Sequence, residues 1–415
     1  MPQAVLKRAT LNLSYFISSR INKSKVSSFS SVIYKIAIAS IGLGLAVMLI
    51  SFLILRGFQE NIRNRVVSFG GHLQVTRYTA SNLFGENPLS SGQAFALEQE
   101  EYPFIEHVQA FAYKPGLLKT EEEVQGVVIK GVGPDFREEY FIENMVEGEI
   151  PQYTDTAVST EVVVSQKIAD QLRLELGDEV LMYFVQNPPR FRPLQIKGIY
   201  STGMEDFDAS IILGDLNLIR QLNSWPDTLV GGYEVFVKDF DQLDAAQEAL
   251  YEATDYNYFV EKITDKNIQI FEWLGLLDRN VVIFLTIILF VAFFNIISIL
   301  LILIMERTSM IGTLMALGAQ NSLLRRIFLY NGMLMVARGI MWGNIIGLGL
   351  AAIQYYFHLI PLDKQNYYMD YVPIQWNWSL IILLNVLVLI LGLLMMLVPT
   401  MVISRIRPIK AIKFS

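Results

Sequence analysis

Residues 36–55 read Ile-Ala-Ile-Ala-Ser-Ile-Gly-Leu-Gly-Leu-Ala-Val-Met-Leu-Ile-Ser-Phe-Leu-Ile-Leu. The 20 positions from Ile36 to Leu55 carry no charge, and as a helix they cover about 30 Å, the thickness of a bilayer core. The run is too long for a typical signal-peptide core. Arg56-Gly57-Phe58-Gln59-Glu60 follows, without a small-residue cleavage pattern, so a retained helix is expected. Three more apolar runs repeat the pattern: Val281 to Met305, a third between Ile327 and Phe357, and a fourth from Trp378 to Ile403. The reading is a polytopic α-helical membrane protein with four transmembrane helices and a large mixed α/β extracytoplasmic domain between helices 1 and 2.

Composition agrees. The chain has 415 residues and is 53% hydrophobic, with a mean hydropathy of +0.38. The net charge of −7 hides an asymmetry. Residues 56–280 hold 37 acidic and 18 basic side chains, while the rest holds 3 acidic and 15 basic. Two regions of such opposite charge face different surroundings. The chain has no cysteine, so disulfides, thiol nucleophiles and cysteine-ligated metals are excluded.

Lysine and arginine near the ends of the runs set the orientation. The N-terminal segment holds Lys7, Arg8, Arg20, Lys23, Lys25 and Lys35 without an acid. The loop between spans two and three holds Arg307, Arg325 and Arg326 against Glu306, and the tail holds Arg405, Arg407, Lys410 and Lys413. Both termini are expected in the cytoplasm, with Arg56, Arg63 and Arg65 outnumbered on the outer side. Tyr367, Tyr368, Tyr371, Trp376 and Trp378 form an aromatic belt at the outer interface. The basic N-terminal segment has a second possible role on anionic inner-leaflet lipids. The expected order is a cytoplasmic segment 1–30, spans at 31–56, 276–306, 327–358 and 378–403, and an outer domain 57–275. A cytoplasmic loop 307–326, an outer loop 359–377 and a tail 404–415 complete it. Within the outer domain, residues 124–129, 161–164, 179–184 and 233–237 read as strands. Residues 166–174 and 243–254 read as helices, and Gly177-Asp178 marks a turn.

Catalytic signatures are missing. There is no GxxxxGK[ST] phosphate loop and no G-x-S-x-G elbow. His72, His107 and His358 lack metal-ligand spacing and read as ordinary structural histidines. Asp206 and Asp208, an acid pair in an acidic domain, read as solvated surface. Arg338 falls inside the third apolar run, where an ionisable residue is a functional candidate. The uncharged stretch from Gly339 to Phe357 can span alone, which makes Arg338 an edge residue whose stem snorkels. Gly339, Gly343 and Gly347 form a small-residue stripe that suits close helix packing, within the chain or against a second subunit.

The cytoplasmic loop runs Met305-Glu306-Arg307-Thr308-Ser309-Met310-Ile311-Gly312-Thr313-Leu314-Met315-Ala316-Leu317-Gly318. Met310, Ile311, Leu314, Met315 and Leu317 approximate helical spacing, and Gly318 can end the helix. This short amphipathic helix needs cover for its apolar side: lipid, its own chain or a cytoplasmic protein.

The segment Glu306-Arg307-Thr308 with Ile311-Gly312-Thr313-Leu314 and Ala316-Leu317-Gly318-Ala319, followed by Leu324-Arg325-Arg326-Ile327-Phe328, resembles the FtsX/MacB permease signature. The tail from Arg407 to Lys413 is similar to that family's tail. Ile129-Lys130-Gly131-Val132-Gly133-Pro134 looks like the lipoprotein-releasing LolC/LolE group. The stretches 164–169, 176–180 and 198–208 (Gly-Ile-Tyr-Ser-Thr-Gly-Met-Glu-Asp-Phe-Asp) are similar to it as well. Asn331-Gly332 departs from the glutamate-glycine often found there, so no charge contact with an ATPase is carried over to that position.

The resemblance implies a permease subunit of an ABC transporter, located in a bacterial inner membrane and without an ATPase site of its own. ATP and magnesium would be held by a partner ATPase dimer, and the chain itself would carry no cofactor. Coupling to that ATPase would fall on Glu306, Arg307, Met310, Ile311, Leu314, Met315, Leu317 and Gly318. A second permease subunit, identical or homologous, would complete an acyl-chain cavity, for which Met48, Phe52, Phe290 and Phe294 are candidates. Lipoprotein cargo and a periplasmic carrier are the implied partners, besides membrane lipids, with no nucleic acid. The alternatives are an FtsX-like mechanotransmission subunit acting on cell-wall hydrolases, and export of another amphiphile.

Overall fold

The computed structural model describes residues 28–77, 87–90, 102–254, 257–363, 367 and 369–403. The basic N-terminal residues before Ser28, the C-terminal tail motif, Lys364 and Tyr368 lie outside them. The described residues form two compact units, one of Gln59–Trp273 with Leu362–Tyr371, the other of the remainder.

Four helices are long and apolar enough to cross a membrane. They are α1 (Ser28–Gly70), α5 (Ile268–Glu306), α7 (Asn321–Phe357) and α8 (Trp378–Ile403). Their shared core takes Leu45, Leu49 and Leu53 from α1 and Phe293, Ile296 and Leu300 from α5. Met335 and Val336 come from α7, and Leu384, Val388 and Met396 from α8. The glycine stripe is used inside the chain. A Cβ on Gly343 would lie 2.9 Å from the Gly42 carbonyl oxygen, and one on Gly347 would lie 2.9 Å from Ala46 Cα. With lipid outside instead of water, such close backbone approach supplies the dispersion contacts that hold helices together. Polar pairs add to it. Asn295 Nδ2 donates to Ser40 Oγ at 2.7 Å, and Asn344 and Asn385 exchange amide hydrogen bonds at 2.6 and 3.1 Å.

In the outer unit a ten-stranded sheet has the order β12-β1-β11-β3-β4-β9-β6-β8-β5, with β7 pairing β3 and β8. The strands are β1 (Leu73–Arg77), β2 (Leu89–Ser90), β3 (Ile105–Lys119), β4 (Val124–Val132), β5 (Met145–Gly148), β6 (Glu161–Ser165), β7 (Glu179–Phe184), β8 (Arg190–Tyr200), β9 (Ile211–Asp215), β10 (Leu229–Val230), β11 (Gly232–Val237) and β12 (Tyr258–Lys262). The short β2 and β10 pair separately. β4–β9 and β6–β8 run parallel and the other pairings are antiparallel. The helices α2 (Gln166–Leu172), α3 (Leu216–Asn223) and α4 (Leu243–Ala253) lie in the same unit. α2 starts where Ser165 Oγ accepts the Ile168 N–H at 3.0 Å and ends at Arg173 in the left-handed region, φ 53°. Asp215 caps α3 in the same way, accepting from Asn217 N at 2.9 Å. It also accepts from Ser159 N, and burial raises its pKa. The strands expected at 124–129, 161–164, 179–184 and 233–237 fall within β4, β6, β7 and β11, and the two expected helices are α2 and α4.

Two expectations need correction. The first helix was expected to end at residue 56, but α1 continues to Gly70. Its later turns are amphipathic: Ile62, Val66, Val67 and Phe69 are buried, while Glu60 and Arg63 pair at i, i+3. Gly71, at φ +63°, ends the helix and donates its N–H to Val67 O at 2.8 Å. Phe69 packs in an aromatic socket, its ring centroid 5.1 Å from Phe141, 5.3 Å from Tyr200 and 5.2 Å from Phe207. Arg65 donates to Thr202 O, and Asn144 Nδ2 donates to Ser68 Oγ at 3.0 Å.

The second correction concerns Asp208, which is buried, not solvated. Its carboxylate accepts from Thr202 N (3.0 Å), Thr202 Oγ1 (2.7 Å) and Gly203 N (3.0 Å). These bonds satisfy it without water and fix the turn whose Thr202 carbonyl receives Arg65.

Candidate functional site

The loop between spans two and three forms α6 (Thr308–Ala316). Nine residues are too few to hold a helix in water unaided, so packing must hold it. Ile311 is fully buried against Ile304, Leu324 and Phe328, with Met310, Leu314 and Met315 partly buried around it. The apolar side of α6 is thus covered by its own chain. Ser309, Thr313 and Ala316, at i, i+4 and i+7, form the outward face.

Leu317 departs from its expected place on the apolar face. It lies past the end of the helix and is 80% exposed, and Met305, in the last turn of α5, is 70% exposed. The helix closes when Gly318, at φ +90°, donates to Met315 O at 3.0 Å and Ala319 donates to Leu314 O at 2.9 Å. Glu306 is exposed. The Nε atoms of Arg307 and Arg325, and Asn331 Oδ1, are buried without a hydrogen-bond partner among the described residues. Asn331 is 3% exposed, so its side chain is out of reach of a docking protein.

The cavity candidates separate. Phe290 and Phe294 are exposed on α5 and meet edge-to-face, centroids 4.7 Å apart. Phe52 is half-buried, and Met48 is buried in the four-helix core. Met48 is therefore not presented at a surface as the cavity assignment required. Arg338 donates to Tyr34 Oη at 3.2 Å, next to Lys35 at the start of the first apolar run. That partner suits an edge residue.

In the outer unit, His72 Nδ1 accepts the Val237 N–H at 3.2 Å, so its Nε2 carries the proton. Burial, and then the charge of Arg63, lower its pKa to about 4. His107 Nε2 lies 2.7 Å from the Asp135 carbonyl. Among the described residues no group of His, Cys, Asp or Glu is placed to hold a metal ion.

Four apolar helices, an α/β unit inserted after the first and a packed helix linking the second to the third define a polytopic membrane protein of permease architecture. The FtsX-like permease C-terminal family matches residues 282–408, and the MacB-like periplasmic core domain family matches residues 36–253. The chain belongs to these FtsX/MacB-type permeases. The lipoprotein-releasing system transmembrane protein LolC of Neisseria meningitidis serogroup B is 24% identical over 409 residues, covering 94% of this chain and 96% of its own. The lipoprotein-releasing system transmembrane protein LolE of Haemophilus influenzae is 22% identical over 419 residues, covering 96% and 98%. The crystal structure of the periplasmic region of MacB from Actinobacillus actinomycetemcomitans aligns with a TM-score of 0.35 and 17% identity, covering 52% of this chain and 97% of its own.

The outer end of α1 is not among the sites that the sequence motifs mark. Its signal is present: Ile62, Val66 and Phe69 keep helical spacing, Lys130 directly follows the apolar Val127-Val128-Ile129, and Glu234 is the one charged residue of β11.

Proposed function

We propose that this chain is the permease subunit of an ABC transporter that extracts lipoproteins from the inner membrane and passes them to a periplasmic carrier. In this reading both termini are cytoplasmic and residues 57–275 are periplasmic, as the lysine and arginine distribution requires. ATP and magnesium belong to a partner ATPase dimer, and a second permease subunit completes the assembly. The observation that carries the reading is α6. It is a short helix anchored by Ile311, with the outward face Ser309, Thr313 and Ala316 flanked by exposed Met305 and Leu317. Anchoring makes it a solid contact through which an ATPase can push α5 and α7. The full-length likeness to LolC and LolE supports lipoprotein as the cargo.

The energetics agree with an ATP-driven step. Moving one acyl chain of about fifteen methylenes out of hydrocarbon costs about 12 kcal/mol unless an apolar surface receives it. Phe290 and Phe294, exposed together on α5, offer such a surface in the membrane.

The test is reconstitution in proteoliposomes with the co-purifying ATPase, a lipidated protein and a soluble carrier. ATP-dependent transfer of the lipoprotein to the carrier is the expected result. Active hydrolysis without transfer overturns the reading, and stimulation of a cell-wall hydrolase in its place would favour mechanotransmission.

A further inference from the structure

One buried carboxylate lies where the chain enters and leaves the outer unit. Glu234 on β11 is fully buried, and Lys130 on β4 is 1% exposed. Lys130 Nζ stands 2.7 Å from Glu234 Oε1 and 2.9 Å from Oε2. Gln109 Nε2 donates to Oε2 at 2.9 Å, and Gln74 Nε2 donates to Oε1 at 3.3 Å. Lys130 Nζ also donates to the Phe69 carbonyl at 2.7 Å, in the last turn of α1. On the return side, Lys266 Nζ donates to Gln74 Oε1 at 2.5 Å, two residues before α5 begins. The two chain passages are themselves adjacent. β1 and β12 pair antiparallel with Leu73 opposite Lys262, and the Ile263 N–H donates to His72 O at 3.0 Å.

Stability alone does not explain this arrangement. A buried Lys–Glu pair is often no more stabilising than apolar side chains of the same volume. An apolar pair, however, cannot hold a helix-end carbonyl, one of those left without an intrahelical partner. Nor can it place a cation at the negative end of the α1 dipole. The pair does both, and through Gln74 it reaches Lys266 as well. Its specific contribution is position.

We propose that the Lys130–Glu234 network is a joint that fastens the outer end of α1 and the start of α5 to the sheet, so that both helices move the outer unit as one body. The proposal rests on the permease reading above. The residues are positioning residues and touch no cargo.

The experiment compares Lys130→Met/Glu234→Leu and, separately, Lys266→Met with wild type in the reconstituted complex. In the double variant ATP hydrolysis stays within about twofold of wild type, while lipoprotein released per ATP falls about fivefold or more. Lys266→Met, which leaves the buried pair intact, lowers the same ratio by about twofold. Hydrogen exchange needs no cargo and reads the joint directly. Amides 66–72 and 266–272 exchange about tenfold faster in the double variant, and the β3–β4 amides keep their wild-type rates. Wild-type release per ATP together with wild-type exchange in both variants overturns the proposal. Should the double variant fail to fold, Lys266→Met decides by the same two measurements. Absence of release from wild type removes the permease reading alone, and exchange still decides the joint.

Discussion

Replacing Ile311 by alanine tests whether α6 is held as a solid contact. Ile311 is the one large side chain of α6 that is fully buried, and its neighbours Ile304, Leu324 and Phe328 come from α5 and α7. An Ile→Ala change in such a setting costs about 3 kcal/mol, from lost burial plus the cavity left behind. A helix of nine residues has little stability of its own to offset that loss. At a factor of ten per 1.4 kcal/mol, the docked state of α6 loses about 150-fold against the detached state. The four-helix core is a separate cluster, so the whole chain should unfold at nearly the wild-type temperature. Hydrogen exchange in nanodiscs should show faster exchange confined to amides 308–319, and affinity purification should recover less ATPase. Leu317→Ala serves as the counterpart. Leu317 is 80% exposed, so exchange stays unchanged while ATPase recovery falls. Wild-type exchange across α6 in Ile311→Ala, with full ATPase recovery, would refute the anchoring argument.

Three further outcomes follow from the packing and titration described above. Gly343→Ala places a Cβ 2.9 Å from the Gly42 oxygen and from Leu45 Cβ, and should destabilise the bundle by about 2 kcal/mol, read as a lower thermal midpoint in detergent. Asp208→Ala leaves the Thr202 and Gly203 donors unsatisfied and should cost the outer unit about 3 kcal/mol, seen as faster proteolysis there. The pKa of His72 is held near 4 against 6.5 for a free side chain, so the folded state resists protonation. Its contribution is constant above about pH 6.5 and declines by roughly 3 kcal/mol as pH falls towards 4, and His72→Gln should remove that part of the decline. Equal pH slopes in the two proteins would show that His72 does not titrate in this way.

Long uncharged runs made the membrane helices legible, because nothing but lipid accommodates them so simply. The outer turns of α1 were harder to see. At Arg56-Gly57 the pattern changes from apolar on all sides to apolar on one face, and the end of the uncharged run marks the end of a membrane span, not the end of a helix. β3 was obscured by Pro115 and Gly116, which break strands in most settings. Here β3 pairs across that point with β4, Pro115 opposite Val128. Asp208 looked solvated because its partners, Thr202 and Gly203, reach it through a turn that composition does not reveal. On α6 the periodicity finds the helix and its end, but it leaves open whether lipid, the chain itself or a cytoplasmic protein covers the apolar face, and the chain covers it. Whether such a face is covered from within depends on Leu324 and Phe328, which come later in the sequence and meet Ile311 only once α7 has packed.

The end of α1 also changes where the outer unit begins. Its last twelve residues, 59–70, belong with the sheet and not with the membrane helices. A soluble fragment cut where the helix stops, at residue 71, would lack Phe69 in its aromatic socket and the Phe69 carbonyl that receives Lys130 Nζ. A fragment that starts at Gln59 keeps both, and with them a core that the strands alone do not close.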